Sequence, residues 1–184
     1  MKQFLLIFCM LILLGMLQAA PVKWTDNGHW YELITTTATW ATARDNAASQ
    51  TFTDTGAGIL YGGHLLTINS ASENTFILNT FNTNVWLGAY QTSKVSEPSG
   101  NWAWVTGEAF TYTKWRASEP NNSGGSEDVA EMYNSTYSGE WNDLGASNGK
   151  AYIIEYDILI PEPGTFCLVS LVLAGIALRK GYRK

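Results

Sequence analysis

Oxygen-bearing side chains that could bind a metal ion are concentrated in the second half of the chain. Three carboxylates and two amides occur there within three short stretches: Glu119, Asn121, Glu127, Asn142 and Asp143. Ca²⁺ takes about six to eight oxygen ligands, whereas Zn²⁺ favours Cys and His. Histidine is sparse in this chain, and both cysteines, Cys9 and Cys167, lie near its ends. If the five side chains converge, their chemistry favours Ca²⁺.

The order and spacing of these stretches resemble those of the C-type lectin domain. Glu119-Pro120-Asn121 matches that family's mannose-type motif, Glu127 stands at its following acidic position, and Trp141-Asn142-Asp143 matches its Trp-Asn-Asp motif. Upstream, 63–65 (Gly-His-Leu) and 86–88 (Trp-Leu-Gly) also stand where the family places them. The resemblance covers about residues 30–156. It implies that the five oxygen-bearing residues bind one Ca²⁺.

The resemblance also implies a sugar site on the same five residues. A sugar hydroxyl can donate to a carboxylate and accept from an amide N–H, so each Glu–Asn pair could hold one hydroxyl. In the family, Glu at 119 with Asn at 121 accompanies the equatorial 3- and 4-hydroxyls of mannose, glucose and N-acetylglucosamine. Galactose-type domains have Gln at the position of Glu119 and Asp at the position of Asn121. The family further implies a cis peptide bond before Pro120.

A second calcium site, which the family often has, is expected to be weak or absent. Asp128 fits such a site. Asn122, however, stands where the family usually has Asp, and Gln91 or Thr92 stands near another acidic position. One carboxylate is a poor ligand set for a hard cation.

Other functions remain open at this stage. The same fold could serve a structural or adhesive surface protein that binds a protein partner, with calcium only stabilising loops. Glu119 and Glu127 could instead be the two carboxylates of a glycoside hydrolase. No arrangement typical of nucleophilic catalysis is found, and we expect a binding protein and not an enzyme. His29 and His64 are expected to be structural.

The elements that must position the site indicate an α+β fold of the C-type lectin-like kind. Two helices are predicted early, over 39–48 with Thr39 as cap and over 69–81 with Ser70 and Glu73 as a capping box. Residues 51–63 are turn-rich, and 114–125 form a long loop that would carry the calcium site. Antiparallel strands are predicted at 30–34, 64–68, 85–89, 102–105, 128–132, 141–144 and 151–156.

Both ends of the chain read as targeting segments. Lys2, an apolar run over 4–14 and the small residues Ala19 and Ala20 predict a signal peptide over 1–20. Pro161-Glu162-Pro163, an uncharged run over 164–178 and a basic end resemble the PEP-CTERM sorting signal of Gram-negative bacteria. For 158–184 this implies processing by an exosortase and transient membrane association through a short transmembrane helix. A permanent anchor is the alternative.

Between these segments we predict one domain over 21–157, exported to the cell surface, outer membrane or extracellular matrix. It contains six basic and fifteen acidic residues, a net charge of −9. Nucleic-acid binders need clustered basic charge, so nucleic acid is not expected as a partner. A polysaccharide or other glycan is expected as the partner. The domain contains no cysteine and therefore no disulfide.

Overall fold

The computed structural model of the protein describes residues 20–159, and this span forms two helices and nine strands. The helices are α1 (Trp40–Ala48) and α2 (Ala71–Phe81). The strands are β1 (Val22–Lys23), β2 (Trp30–Ala38), β3 (Thr51–Asp54), β4 (Ile59–Leu65), β5 (Val85–Gln91), β6 (Trp102–Trp104), β7 (Val129–Met132), β8 (Trp141–Leu144) and β9 (Lys150–Ile158). One-turn 3₁₀ helices occur at Ser123–Gly125 and Ser135–Tyr137.

The predicted signal peptide and C-terminal transmembrane helix lie outside the described residues. Within 20–159, neither helix has the length and apolar character needed to cross a membrane.

The strands form one mixed sheet with the order β1-β2-β9-β5-β7-β8, to which β3, β4 and β6 attach at the side. The α+β fold class is confirmed, but the expectation of purely antiparallel strands is wrong at one place. β5 and β9 run parallel, with Val85 opposite Ala151. The C-terminal strand β9 is inserted between β2 and β5, and its direction is set by the long antiparallel pairing with β2. The sequence pattern of each strand alone does not contain that insertion.

Helix α1 and the hairpin below it show where the local prediction succeeded and failed. Thr39 caps α1 by accepting the Thr42 N–H at 3.4 Å. The stretch predicted to be turn-rich instead forms the hairpin β3–β4, and β4 ends at Leu65, so the strand predicted over 64–68 lies too late. Gly63 makes this strand resemble a turn in the sequence. A Cβ there would lie 2.5 Å from the Ala47 carbonyl oxygen, so glycine lets α1 pack directly on the strand.

Helix α2 begins with a variant of the predicted capping box. Ser70 Oγ accepts the Glu73 N–H at 3.1 Å, as expected. Glu73 reaches back one residue further than predicted, because its Oε2 accepts the N–H of Asn69 at 2.8 Å. Its Oε1 accepts the buried Tyr31 hydroxyl at 2.8 Å, which ties the helix to β2. Burial and the nearby Glu155 charge raise the pKa of Glu73 to about 7.

The core is built around aromatic side chains, and one of its clusters supports the long loop that precedes β7. Trp141, at the start of β8, is fully buried and contacts Trp104 and Trp115 with ring centroids 5.8 Å apart in each case. Its indole N–H donates to Asn74 Oδ1 on α2 at 2.8 Å. Such buried aromatic contacts fix β8 firmly. The two residues that follow Trp141 are therefore held in a defined position.

Candidate functional site

The long loop that was predicted to carry the site is joined at its base to β8. The Arg116 N–H donates to the Trp141 carbonyl at 2.9 Å, and the Trp141 N–H donates to the Lys114 carbonyl at 2.8 Å. These two hydrogen bonds make a short bridge between Trp115 and Trp141. The residues after Arg116 are thereby brought over the end of β8. Glu119 and Asn121 consequently face the strand that carries Asn142 and Asp143.

Asp143 lies at the centre of the site. It is completely buried, and both its carboxylate oxygens accept hydrogen bonds from the loop. The Asn121 N–H donates to Oδ1 at 3.0 Å, and the Asn122 N–H donates to Oδ2 at 2.7 Å. Because a carboxylate accepts strong bonds from backbone N–H groups, Asp143 fixes the turn that contains Asn121.

Glu119 lies against Asp143 although both side chains are acidic. The Glu119–Pro120 peptide bond is cis, as the resemblance implies. Glu119 Oε2 is buried and has no hydrogen-bond partner among residues 20–159. Burial raises the pKa of Glu119 above its ordinary value of 4.5, and its contact with Asp143 and the charges of Asp143 and Glu127 raise it further, whereas the charge of Arg116 opposes them.

Glu127 is the third carboxylate of the cluster. Its Oε2 accepts the Ser123 N–H at 2.7 Å, and its own N–H donates to Asn122 Oδ1 at 3.0 Å. Burial raises its pKa, the bond from Ser123 opposes this, and the negative charges of Asp143 and Glu131 raise it again. The three carboxylates lie near enough for their charges to raise one another's pKa values, although within residues 20–159 their oxygens do not all come within 4.8 Å of one another. Like charges brought near one another favour a bound cation or protons. The donor chemistry of the three carboxylates and two amides fits Ca²⁺.

Asn142 is oriented by residues that the sequence analysis missed. Its Nδ2 donates to Glu131 Oε1 on β7 at 3.2 Å, and the Lys150 ammonium lies 2.6 Å from Glu131 Oε2. With the amide nitrogen held this way, the carbonyl oxygen of Asn142 is the atom left for a cation. The cross-strand pair of Glu131 and Asn142 could have been found only after β7 and β8 were placed in register.

The second predicted ligand group is organised around a lysine. The Lys94 ammonium lies 3.1 Å from Asp128 Oδ1 and 3.9 Å from Glu97 Oε1. Asn122 donates its side-chain amide to Glu97 Oε2. Lys94 and Glu97 were missed because they lie in the loop after β5, about thirty residues before Asp128. A positive charge already stands beside Asp128, which disfavours a cation there.

A groove adjoins the carboxylate cluster. Its volume is about 530 Å³, and its walls include Trp102, Phe110, Trp115 and Glu119. Trp102 is buried and packs against Trp115 with ring centroids 4.8 Å apart. The groove gives solvent-borne ligands access to the face on which Glu119 lies.

We expect Glu119→Gln to have opposite effects on stability with and without calcium. In chelator at pH 7, the folded state is strained by a Glu119 carboxylate whose pKa is raised above 4.5. Removing that charge should therefore raise the melting temperature. With excess calcium, the variant should melt below the unaltered chain because calcium binds it less tightly. Calorimetry in both buffers measures this, and an equal shift of the same sign in both would contradict it.

Comparisons with known proteins agree with the geometry. A family model described as the lectin C-type domain matches residues 58–155. A second, described as the PEP-CTERM protein-sorting motif, matches residues 159–184.

Several curated proteins are similar to the chain. The alpha-N-acetylgalactosamine-specific lectin of Patiria pectinifera is 31% identical over 139 residues, covering 71% of this chain and 76% of that lectin. Echinoidin of Heliocidaris crassispina is 30% identical over 144 residues, covering 73% and 93%. Other relatives are much longer: the chain spans 1% of halomucin from Haloquadratum walsbyi and 40% of mouse C-type lectin domain family 4 member G, each at 29% identity.

Solved structures show the same fold. C-type lectin CEL-I from Cucumaria echinata has a TM-score of 0.59 at 25% identity and covers 76% of this chain and 98% of its own. A calcium-independent type II antifreeze protein has a TM-score of 0.55 at 24% identity, covering 77% and 97%. The second likeness concerns the fold alone.

Proposed function

The chain belongs to the C-type lectin family, and from that premise we propose that it binds carbohydrate through Ca²⁺ held at Glu119, Asn121, Glu127, Asn142 and Asp143. The lectin family and its lectin-named relatives are carbohydrate-binding proteins and not enzymes, and the chain is assigned to that class. One observation carries the proposal. The buried Asp143 and its neighbours Glu119 and Glu127 form a group of three acids, and Glu119 Oε2 is buried without a hydrogen-bond partner within residues 20–159.

Each residue has a distinct task in this proposal. Bound Ca²⁺ supplies a positive charge that attracts the hydroxyl oxygens of a sugar. Glu119 and Glu127 accept hydrogen bonds from those hydroxyls, while the side-chain N–H groups of Asn121 and Asn142 donate to them. Asp143 holds the loop in place through the N–H groups of Asn121 and Asn122. Asn121 is exposed, which leaves its amide accessible to a ligand.

The expected sugars are those with vicinal equatorial hydroxyls, namely mannose, glucose and N-acetylglucosamine. This part of the proposal depends on residues 119–121 alone. One relative is named as specific for N-acetylgalactosamine, so family membership does not decide the sugar. Because little of a monosaccharide is buried in an open site, single sites should bind weakly.

Acid should release both calcium and sugar. The pKa values of Glu119 and Glu127 are raised above 4.5 by burial and by neighbouring negative charge. Protons therefore compete with Ca²⁺ above the pH at which free carboxyl groups titrate, and calcium affinity should fall at least about tenfold between pH 7 and pH 5. Titrating the full chain with calcium at the two pH values checks this. Unchanged sugar binding at about pH 4, where free carboxyl groups titrate, would contradict it.

We also propose that the chain is exported and sorted to the surface or extracellular matrix of a Gram-negative bacterium. The match of residues 159–184 to the PEP-CTERM motif supports this. An exosortase-type enzyme would then recognise the tail.

A glycan array probed with the purified full chain, with and without chelator, tests the function. The proposal predicts chelator-sensitive binding to mannose-type or glucose-type glycans. Absence of such binding, together with a calcium-dependent rise in melting temperature, would favour a protein partner and calcium-stabilised loops. Release of reducing sugar would favour the hydrolase alternative.

A further inference from the structure

A second cluster of possible metal ligands lies on elements that carry none of the five candidate calcium ligands. Glu155 and Asp157 are two residues apart on β9, so they face the same side of the sheet. His64 on β4 lies opposite Glu155, and His29 immediately precedes β2. The chain contains 2 histidines, and the fold brings both to this pair of carboxylates.

The distances within the cluster suit a small cation. His29 Nδ1 lies 2.8 Å from Glu155 Oε1 and 3.0 Å from Asp157 Oδ1. His64 Nε2 lies 3.3 Å from Asp157 Oδ2. Ligands about 2.0–2.1 Å from a tetrahedral Zn²⁺ stand about 3.3 Å from one another. His29, Glu155 and Asp157 thus each offer a ligand atom, and these three atoms all lie within 4.8 Å of one another.

His64 positions Asp157 from the side of β4. Its Nδ1–H donates to the Leu65 carbonyl at 3.1 Å, and its Nε2 lies 3.3 Å from Asp157 Oδ2. Within residues 20–159, the ligand atoms of His29, Glu155 and Asp157 all lie within 4.8 Å of one another, and His64 is outside this group. Outer partners of this kind orient the carboxylates that bind a metal ion.

The Glu155 carboxylate is held in position by hydrogen bonds from neighbouring side chains and backbone. Its side chain is 1% exposed, and its Oε2 accepts both the N–H and the hydroxyl of Thr67, at 2.9 and 3.0 Å. Its Oε1 lies 3.1 Å from the Tyr31 hydroxyl, whose single hydrogen it shares with Glu73 Oε1. A carboxylate oriented by several donors loses little freedom when it binds a metal ion.

The cluster is accessible from solvent. A cavity of about 380 Å³ is lined by His29 and Glu155 among other polar residues, and the Asp157 side chain is 41% exposed. Metal ions therefore have an entry path, which a functional site needs.

We propose that His29, Glu155 and Asp157 bind a first-row transition metal ion, with Zn²⁺ as the best fit. An imidazole nitrogen combined with carboxylate oxygens selects such ions over Ca²⁺ and Mg²⁺, which prefer oxygen alone. This assignment replaces the purely structural role expected for His29, whereas His64 keeps a structural role beside Asp157. The site is independent of sugar binding and would tie the start of β2 to β9.

Protons compete with Zn²⁺ for the His29 nitrogen of this cluster. Burial lowers the pKa of His29, but the hydrogen bonds and charges of Asp157 and Glu155 outweigh it and raise the value to about 10. The same balance raises the pKa of His64 to about 9. Zn²⁺ must therefore displace protons at neutral pH, and its binding releases them.

Calorimetric titration with ZnCl₂ in the presence of excess calcium tests the proposal. The protein is the full chain carrying Cys9→Ser and Cys167→Ser, so that thiols contribute nothing. One Zn²⁺ per chain should bind with proton release. His29→Gln and the partly exposed Asp157→Asn should each weaken binding at least tenfold, and Co²⁺ should give the visible absorption of a tetrahedral site.

Two matched controls separate this site from its surroundings. Asp26→Asn changes a carboxylate lining the same cavity but outside the cluster, and should leave zinc affinity unchanged. The Asp143→Asn variant should lose calcium binding but retain zinc binding. Absence of zinc binding by the starting protein, or full zinc affinity in both His29→Gln and Asp157→Asn, would overturn the proposal and leave the histidines as ion-pair partners.

Discussion

Replacing Asp143 by Asn should remove calcium-dependent sugar binding. Asp143 is completely buried and is the acid around which Glu119 and Glu127 gather. The substitution removes one ligand charge and puts an amide where a carboxylate accepts two backbone N–H groups. We expect calcium affinity to fall at least about a hundredfold, or roughly 2.7 kcal/mol. Calorimetric titration with calcium measures the loss.

Asp128→Asn is the matched control because it makes the same chemical change fifteen residues earlier, in the same region. The partner of Asp128 is Lys94, so this variant should keep calcium and sugar binding within about twofold, as expected for an exposed ion pair. Near-ultraviolet circular dichroism of both variants in chelator establishes that they fold. Loss of calcium in Asp128→Asn alone would show that calcium binds at Asp128 and not at Asp143, and equal losses in the two variants would contradict the assignment to the Asp143 site alone.

Exchanging the order of acid and amide in the loop should exchange the preferred sugar. In the double variant Glu119→Gln and Asn121→Asp, the donor and acceptor change places on either side of Pro120. A hydroxyl pair of different stereochemistry then fits the same ion. We expect the ratio of mannose to galactose affinity to reverse, with a change of at least about a hundredfold, again near 2.7 kcal/mol. Competition by free monosaccharides measures the ratio.

The double variant also tests whether the sugar lies at this loop at all. Because its count of carboxylates and amides is unchanged, calcium affinity should change little. A variant that binds calcium yet retains the original sugar ratio would place the sugar elsewhere on the domain.

Local sequence patterns were enough to predict most elements. Both helices and the cap residues Thr39 and Ser70 are confirmed, because a cap and an apolar stripe are set by neighbouring residues. Strand β8 has the predicted bounds. The hairpin β3–β4 was missed because the glycines in β4 imitate a turn, whereas Gly63 is there to admit the backbone of α1.

Long-range pairings could not be obtained from such patterns. The parallel contact of β9 with β5 depends on where the last strand inserts, which no local signal records. The same limit applies to the ion pair of Lys94 with Asp128 and to the hydrogen bond of Asn142 with Glu131. The family motif supplied the candidate ligands in order. The charged neighbours that orient or neutralise them required the folded chain.

The cluster of His29, His64, Glu155 and Asp157 illustrates the point most clearly. In the sequence, the two histidines lie 35 residues apart and far from either acid. Only the pairing of β4 and β2 with β9 brings them together. Sequence reasoning therefore gave them a structural role, because no spacing signal suggested a metal site.

Successive titration of the purified full chain, first with calcium and then with mannose, tests the central claim most directly. One calcium ion should bind at the Asp143 cluster, and mannose should bind only afterwards, with the calcium affinity increasing in its presence. Mannose binding of equal strength in chelator, or a chain that takes up no calcium at neutral pH, would contradict it.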